Sequence, residues 1–415
     1  MLWGEGDLEG RVTTERAEAN HETPESTTGL VDAGVRSSRR GKVGGVSALP
    51  LAEATRDAGV VAAWDRAAAA CDHPDALQSS RAWAEHLNAR GLPVQVVVLR
   101  GRDGVVRGVV PVTCHPRGFE GAAAAPRGLR RGFRVAEVLG SVPLVPSYVS
   151  AAEDVMLGVL GALPDCDAVS LESLPVESPY ARLEEAATVV LAYRPSVARA
   201  ERLVEIEGSF ETYQRGRSAK LRLNVERAFR KLHGIGTVSL GCYRSPADVD
   251  RLFTDAAELR KRSRQHAELG GLAEDPILSC HESLSELSRR DLLRAYVLYA
   301  GGVPCAFVIG HQCQGAFFHA LSGFDAAFAR HSPGIALLHL VVNDLFASDR
   351  PRFASLGRRD DDYKRRFATA NRYVGTWLYF RPTLMNRMRV QNHRLLAQAK
   401  GLIAEFRAAG PSRVH

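Results

Sequence analysis

The sequence has few of the features that staple or anchor a chain. Its seven cysteines, Cys71, Cys114, Cys166, Cys242, Cys280, Cys305 and Cys313, include no Cys-x-x-Cys pair. That argues against a zinc ribbon and against a disulfide framework. No apolar run reaches the ~18–20 residues of a membrane-spanning helix, and no apolar signal-peptide core opens the chain, so a cytoplasmic protein is expected. Walker, GxGxxG, HExxH and GxSxG motifs are absent. Nucleotide hydrolysis, dinucleotide redox chemistry and serine hydrolysis thereby lose their usual signals.

What remains is a 415-residue chain, 45% hydrophobic and 24% charged, which is ordinary globular composition. Its length suggests two domains or one large one. The net charge of +7 permits an anionic partner without demanding one. Residues 1–48 hold a single aromatic, Trp3, among Ser, Thr, Gly and charged residues, and end in Arg39-Arg40-Gly41-Lys42. Such a stretch buries too little apolar surface to offset its ordering entropy, so it is expected to be a disordered, dispensable tail.

From about residue 50, helices and strands alternate. Val60 to Cys71 and Ser80 to Arg90 read as helices, and Val94 to Leu99 and Val105 to Cys114 as strands joined by the Asp103-Gly104 turn. Gly118 to Gly132 reads as a loop, Glu153 to Leu163 as a helix and Ala168 to Leu174 as a strand. A second unit opens near 203. Its first long helix carries Leu221, Val225, Ala228, Phe229 and Leu232 on one face. Helices at Pro246–Arg264 and Pro276–Arg289 precede an antiparallel meander of Arg294–Ala300, Pro304–Gln312 and Ala316–Leu321. A helix over Ile335–Ala347, a short strand at Phe353–Leu356, a strand at Gly375–Phe380 and a helix from Leu384 to Phe406 follow. The two halves share this order, which predicts a duplicated α/β (α+β) unit.

Four clusters carry candidate chemistry. Cys305, His311, Cys313 and His319 resemble zinc ligands, but a two-residue turn at Gln314-Gly315 pairs 313 with 316 and 310 with 319. Strand alternation then puts Cys305, His311 and Cys313 on one face and His319 on the other, so no metal site is expected. Arg215 to Lys231 holds seven cations against one acid, Glu226, with Arg260, Lys261, Arg262 and Arg264 as a second cluster. This reads either as a solvated helix face or as a phosphate-binding surface for coenzyme A or an RNA backbone. Ser332-Pro333-Gly334-Ile335-Ala336 opens a long apolar helix whose free N–H groups and dipole favour an anion. Arg358 to Phe367 packs acids, a phenol and several cations into one or two turns, suited either to a salt-bridged surface helix or to oxyanion and proton chemistry.

Five stretches now carry a resemblance: Tyr213 to Lys231; Glu258 to Arg264; Gly302-Val303-Pro304-Cys305-Ala306; Phe324-Asp325 through Ser332-Pro333-Gly334; and Gly357 to Phe367 with its Tyr363-Lys364-x-x-Phe367 core. With Trp64 and Gln78-Ser79-Ser80-x-x-Trp83 in the first half, the chain over roughly residues 50 to 390 resembles the GNAT acyltransferases. It is similar in particular to their BioF2-like branch, associated with cellulose and exopolysaccharide biosynthesis, and to the Fem-type aminoacyl transferases. The resemblance implies two tandem GNAT-like lobes, each a mixed, mainly antiparallel sheet flanked by helices, over 49–200 and 201–390, with 391–415 a helix and tail. It implies acyl transfer to an amine, with acyl-CoA as cosubstrate or aminoacyl-tRNA as the alternative, and no tightly bound cofactor. A non-catalytic scaffold of the same fold is the remaining alternative.

The resemblance also assigns residues. In Fem-type enzymes an aromatic-Lys-x-x-Phe segment supplies a lysine for the tetrahedral intermediate, a part that falls to Lys364, beside Tyr363. Asp362 and Asp325 are the candidates for amine deprotonation. His331, Ser332, Gly334 and Ala336 stand in the phosphate loop, with His331 where GNAT enzymes usually carry Gln or Arg. Arg222, Arg227, Arg230 and Arg358 are the candidates for substrate or RNA phosphate. The acceptor is expected to be a small-molecule amine.

Overall fold

The computed structural model describes residues 43–70, 77–119, 132–140, 152–262, 280–348, 350–357 and 361–408. The first lobe comprises β1 (Val43–Pro50), α1 (Leu51–Ala54), α2 (Ala58–Ala69), α3 (Arg81–Ala89), β2 (Val94–Gly101), β3 (Val106–Arg117), β4 (Phe133–Val138), α4 (Ala152–Ala162), β5 (Ala168–Pro175), α5 (Leu183–Ala186) and β6 (Leu191–Tyr193). The second runs through β7 (Arg199–Glu205), α6 (Phe210–Arg215), α7 (Ala219–His233), β8 (Val238–Tyr243), α8 (Val249–Lys261), α9 (His281–Arg289), β9 (Leu293–Ala300), β10 (Val303–Cys313) and β11 (Ala316–Phe324). It closes with α10 (Pro333–Ala347), β12 (Phe353–Ser355), α11 (Asp362–Phe367), β13 (Ala370–Phe380) and α12 (Leu384–Ala408).

Helices begin where the sequence supplies a cap. Asp57 accepts the N–H groups of Gly59 and Val60 to start α2, and Ser80 accepts that of Trp83 to start α3. The indole N–H of buried Trp64 donates to the Ser79 carbonyl at 2.8 Å, so the Gln78-Ser79-Ser80-x-x-Trp83 stretch is fastened under α2. Gly104, at φ +78°, makes the β2–β3 turn that Asp103-Gly104 predicted.

Among the described residues thirteen strands form one sheet, in the order β1-β2-β3-β4-β5-β13-β7-β12-β11-β10-β9-β8, with β6 also against β13. In each half a meander is followed by one parallel step, β4 to β5 and β11 to β12, and every other pairing is antiparallel. The expected mixed, mainly antiparallel architecture is therefore present in both lobes. They are joined at β13, which pairs with β5 along one edge and with β7 and then β6 along the other. They also share a core: Trp64, Trp83 and Val98 of the first half pack in one cluster with Leu252, Leu284 and Phe307 of the second.

Three expectations change. Residues 43–48, assigned to the tail, lie in β1, whose Val46 to Leu49 pair with Leu99 to Val96 of β2; residues 1–42 fall outside the described residues. Pairs 313–316 and 310–319 occur as expected, but a bulge between Pro304 and Ala306 turns Cys305 into the core on the side of Val308 and Phe317. Cys313 packs on the opposite side, with Ile309. The third is β4, a strand at Phe133–Val138 that the sequence pattern does not announce; most of Gly118–Gly132, read as a loop, lies outside the described residues.

A buried carboxylate ties the seam. Glu201 of β7, 2% exposed, accepts from Ser355 Oγ of β12 at 2.5 Å and from Arg372 Nη2 and Nε of β13 at 2.5 and 3.1 Å. Glu201→Ala strands a part-buried guanidinium and a buried hydroxyl, so chemical denaturation should show a loss of about 3 kcal/mol. Glu201→Gln, which keeps one acceptor, should lose less.

Candidate acyl-transfer site

The site forms where β11 outruns its partner. Only Ala316–Phe318 pair with β12, while β11 continues to Phe324. Beyond that point a cavity of about 260 Å³ opens between β10, β11 and α10. Phe307, Val308, Phe324, Ile335, Leu337 and Leu338 make its walls apolar; His319, Ser322, Ser332 and Tyr363 supply polar groups.

Lys364 is only 6% exposed. The spacing of α11 explains this: Lys364 and Phe367, three residues apart, share the inward face, and Phe367 is 1% exposed. The Phe367 carbonyl accepts the Tyr213 hydroxyl at 2.7 Å, which clamps α11 to α6. Lys364 Nζ lies 3.6 Å from Asp361 Oδ2 and 6.0 Å from the Tyr363 ring centroid. Gly357, at φ +82°, brings the backbone close: a Cβ there would sit 3.1 Å from the His319 carbonyl and 3.7 Å from Lys364 Nζ. Gly357 is itself held by its N–H on Ser355 Oγ at 3.2 Å, the hydroxyl bonded to Glu201.

Asp362 points away. Its side chain is 68% exposed and pairs with Arg365 and Arg366, so Asp361, one turn before Lys364, takes the inner position. Asp325 is buried but occupied: it accepts from Arg262 Nη1 at 3.1 Å and from Ala327 N–H at 2.9 Å, capping the 3₁₀ turn Ala326–His331. Both were candidates for proton removal, and neither lines the cavity.

At the α10 terminus Ser332 adopts φ +55° and its carbonyl accepts the N–H groups of Ile335 and Ala336. Pro333 has no N–H, so Gly334 offers the amide of this turn that a ligand can use. Ser332 and Gly334 line the cavity, whereas Ala336 is wholly buried in the core. His331 lies beside Phe328, with ring centroids 6.0 Å apart, and its Nδ1 is buried without a hydrogen-bond partner. Lys231 Nζ donates to the Arg330 carbonyl at 2.8 Å, which puts the basic end of α7 against this turn. Arg227 and Arg230 are exposed on α7. Arg222 instead folds onto the carbonyls of Arg215 and Arg217 at 3.1 and 2.6 Å. Arg358 lies outside the described residues.

Residues 219–365, from α7 into α11, match the acetyltransferase (GNAT) domain family. The second lobe thus carries a match to a GNAT acetyltransferase domain. The fold of the chain is similar to that of FemX, with a TM-score of 0.54 at 10% identity over 76% of this chain and 95% of that one. A tandem GNAT protein from the clavulanic acid biosynthesis pathway gives 0.46 at 16% identity, over 81% and 99% of the two chains. L-PGS from Bacillus licheniformis gives 0.44 at 12%, over 72% and 88%. No curated protein matches the sequence.

His319 and Asp361 escaped the sequence reading. Asp361 was legible in principle, since residues three apart share a helix face and residues two apart do not. His319 was placed on the correct pairing but considered only as a metal ligand.

These positions separate the two acids. Lys364→Met should lower turnover ~10²–10³-fold with the fold retained, as loss of one preorganised oxyanion contact does. Asp361→Asn, which frees the ammonium to shift, should cost about 10- to 100-fold. Asp362→Asn removes surface ion pairs alone and should stay within about twofold. Steady-state kinetics with circular dichroism checks all three.

Proposed function

We propose that this protein transfers an acyl group from acyl-CoA to the amine of a small molecule or polysaccharide precursor. The observation that carries this reading is the cavity itself: an apolar pocket lined by His319, Tyr363 and the Ser332–Gly334 turn, with Lys364 following Tyr363 and packed, like His319, against Gly357. The basic end of α7 flanks that turn, where a pyrophosphate would find an amide, a helix dipole and cations together. The acceptor nitrogen attacks the thioester carbon, forming the C–N bond. The carbonyl oxygen gains charge, which the buried Lys364 offsets in largely apolar surroundings. The C–S bond then breaks, and the proton lost by the amine leaves with the thiol. Asp361 holds the ammonium in place.

A second reading, an aminoacyl-tRNA donor, draws on the breadth of the basic surface. Arg227 and Arg230 are exposed on α7, outside the cavity lining. The BioF2-like branch and a cytoplasmic location fit the order of motifs and complete the reading.

Donor choice is tested by salt and charge reversal. RNA binding should weaken by roughly 0.7–0.9 log units per phosphate contact for each log unit of salt, whereas coenzyme A, with few phosphates, should respond far less. Arg227→Glu with Arg230→Glu should cripple an RNA-dependent enzyme and spare most acyl-CoA activity. Arg222 is excluded from the set because it braces the turn between α6 and α7. Micromolar acetyl-CoA affinity by calorimetry, with no retention of charged tRNA on filters, is the expected outcome; the reverse overturns the donor assignment.

A further inference from the structure

His319 is 6% exposed and lines the cavity, yet its Nδ1 is buried with no hydrogen-bond partner. A buried polar atom in that condition is costly, and native cores seldom keep one without a use. The surrounding walls are apolar, and the nearest charge is the Lys364 ammonium, so the ring is held neutral: burial first, and then Lys364, lower its pKa to about 3. A neutral imidazole offers one acceptor nitrogen. The reacting carbonyl has only acceptor atoms to present, and its oxygen is claimed by Lys364. The group that reaches the same carbon with an N–H to give is the acceptor amine.

We infer that His319 is a substrate-binding residue that accepts a hydrogen bond from the acceptor amine and aims its lone pair at the acyl carbon. This rests on the acyl-transfer reading above. It makes His319 an orienting contact and not the carrier of the proton, which a ring beside an ammonium is poorly placed to hold.

The test pairs His319→Phe with His319→Gln, using acetyl-CoA and a panel of primary amines. The phenyl variant should lose ~10²-fold in kcat/KM for the amine while its acetyl-CoA affinity by calorimetry stays within about twofold. The glutamine variant, which restores an acceptor atom, should recover much of that loss with an unchanged pH profile. Because the phenyl ring removes an unpartnered polar atom, its melting temperature should equal or exceed that of the wild type. A lower melting temperature would make His319 structural and overturn the inference. So would full activity of the phenyl variant, loss of acetyl-CoA affinity, or an acid limb in the wild-type profile that vanishes in the glutamine variant. If the wild type forms no amide from any donor, the acyl-transfer reading fails by itself, and the melting temperatures still decide whether His319 serves the fold.

Discussion

The Glu201 carboxylate is the constraint on which both the fold and the site depend. It lies at the seam of the lobes and bonds to strands on either side, Ser355 of β12 and Arg372 of β13. Charge buried to this depth is tolerated only with its partners in place. The same Ser355 hydroxyl accepts the Gly357 N–H, and Gly357 sits against Lys364 and the His319 carbonyl. A chain of three contacts thus connects the joint between lobes to the ammonium of the site. Displacing any link moves Lys364 relative to the cavity, and burial leaves no solvent to absorb the change.

Much of the frame was legible because it depends on local periodicity. The apolar positions of α7 fall on one face and are buried as expected, with Leu221, Val225, Ala228 and Leu232 at 5% exposure or less. The Gln314-Gly315 turn fixed the β10–β11 register at its own end. The failures have physical causes. β1 reads VGGVSALP, too rich in glycine to signal a strand, and gains its stability from pairing with β2. Cys305 changed face because a bulge adds one residue, which alternation alone cannot foresee. Asp362 and Asp325 were plausible by proximity in sequence, but helix geometry turns the first outward and a cap consumes the second. The Glu201 network joins residues more than 150 positions apart, so no local pattern could reveal it.

The cavity derives its character from contrast. Its apolar lining lowers the local dielectric, and that strengthens whatever polar interaction occurs inside. Its polar lining is short: an imidazole kept neutral, a phenol, Ser322 and the Ser332–Gly334 turn, with the Lys364 ammonium, braced by Asp361, close to the imidazole. Such a set suits a reaction in which charge appears briefly on one oxygen. It suits a permanently charged substrate centre much less, because a second cation beside Lys364 would be repelled.

Duplication explains where the site can arise and sequence divergence explains which lobe bears it. Both halves present a meander and a parallel step of three paired residues, β4 with β5 and β11 with β12. After β12 come Gly357 and then α11, and Gly357 packs against both Lys364 of α11 and the His319 carbonyl of β11. After β5 the equivalent stretch, residues 176–186, contains no lysine, and its Glu184 accepts the indole N–H of Trp377 on β13 at 3.1 Å. The first lobe has therefore put its corresponding segment to structural use, fastening the strand shared by both lobes. The second lobe, relieved of that task, keeps its segment free to carry the ammonium.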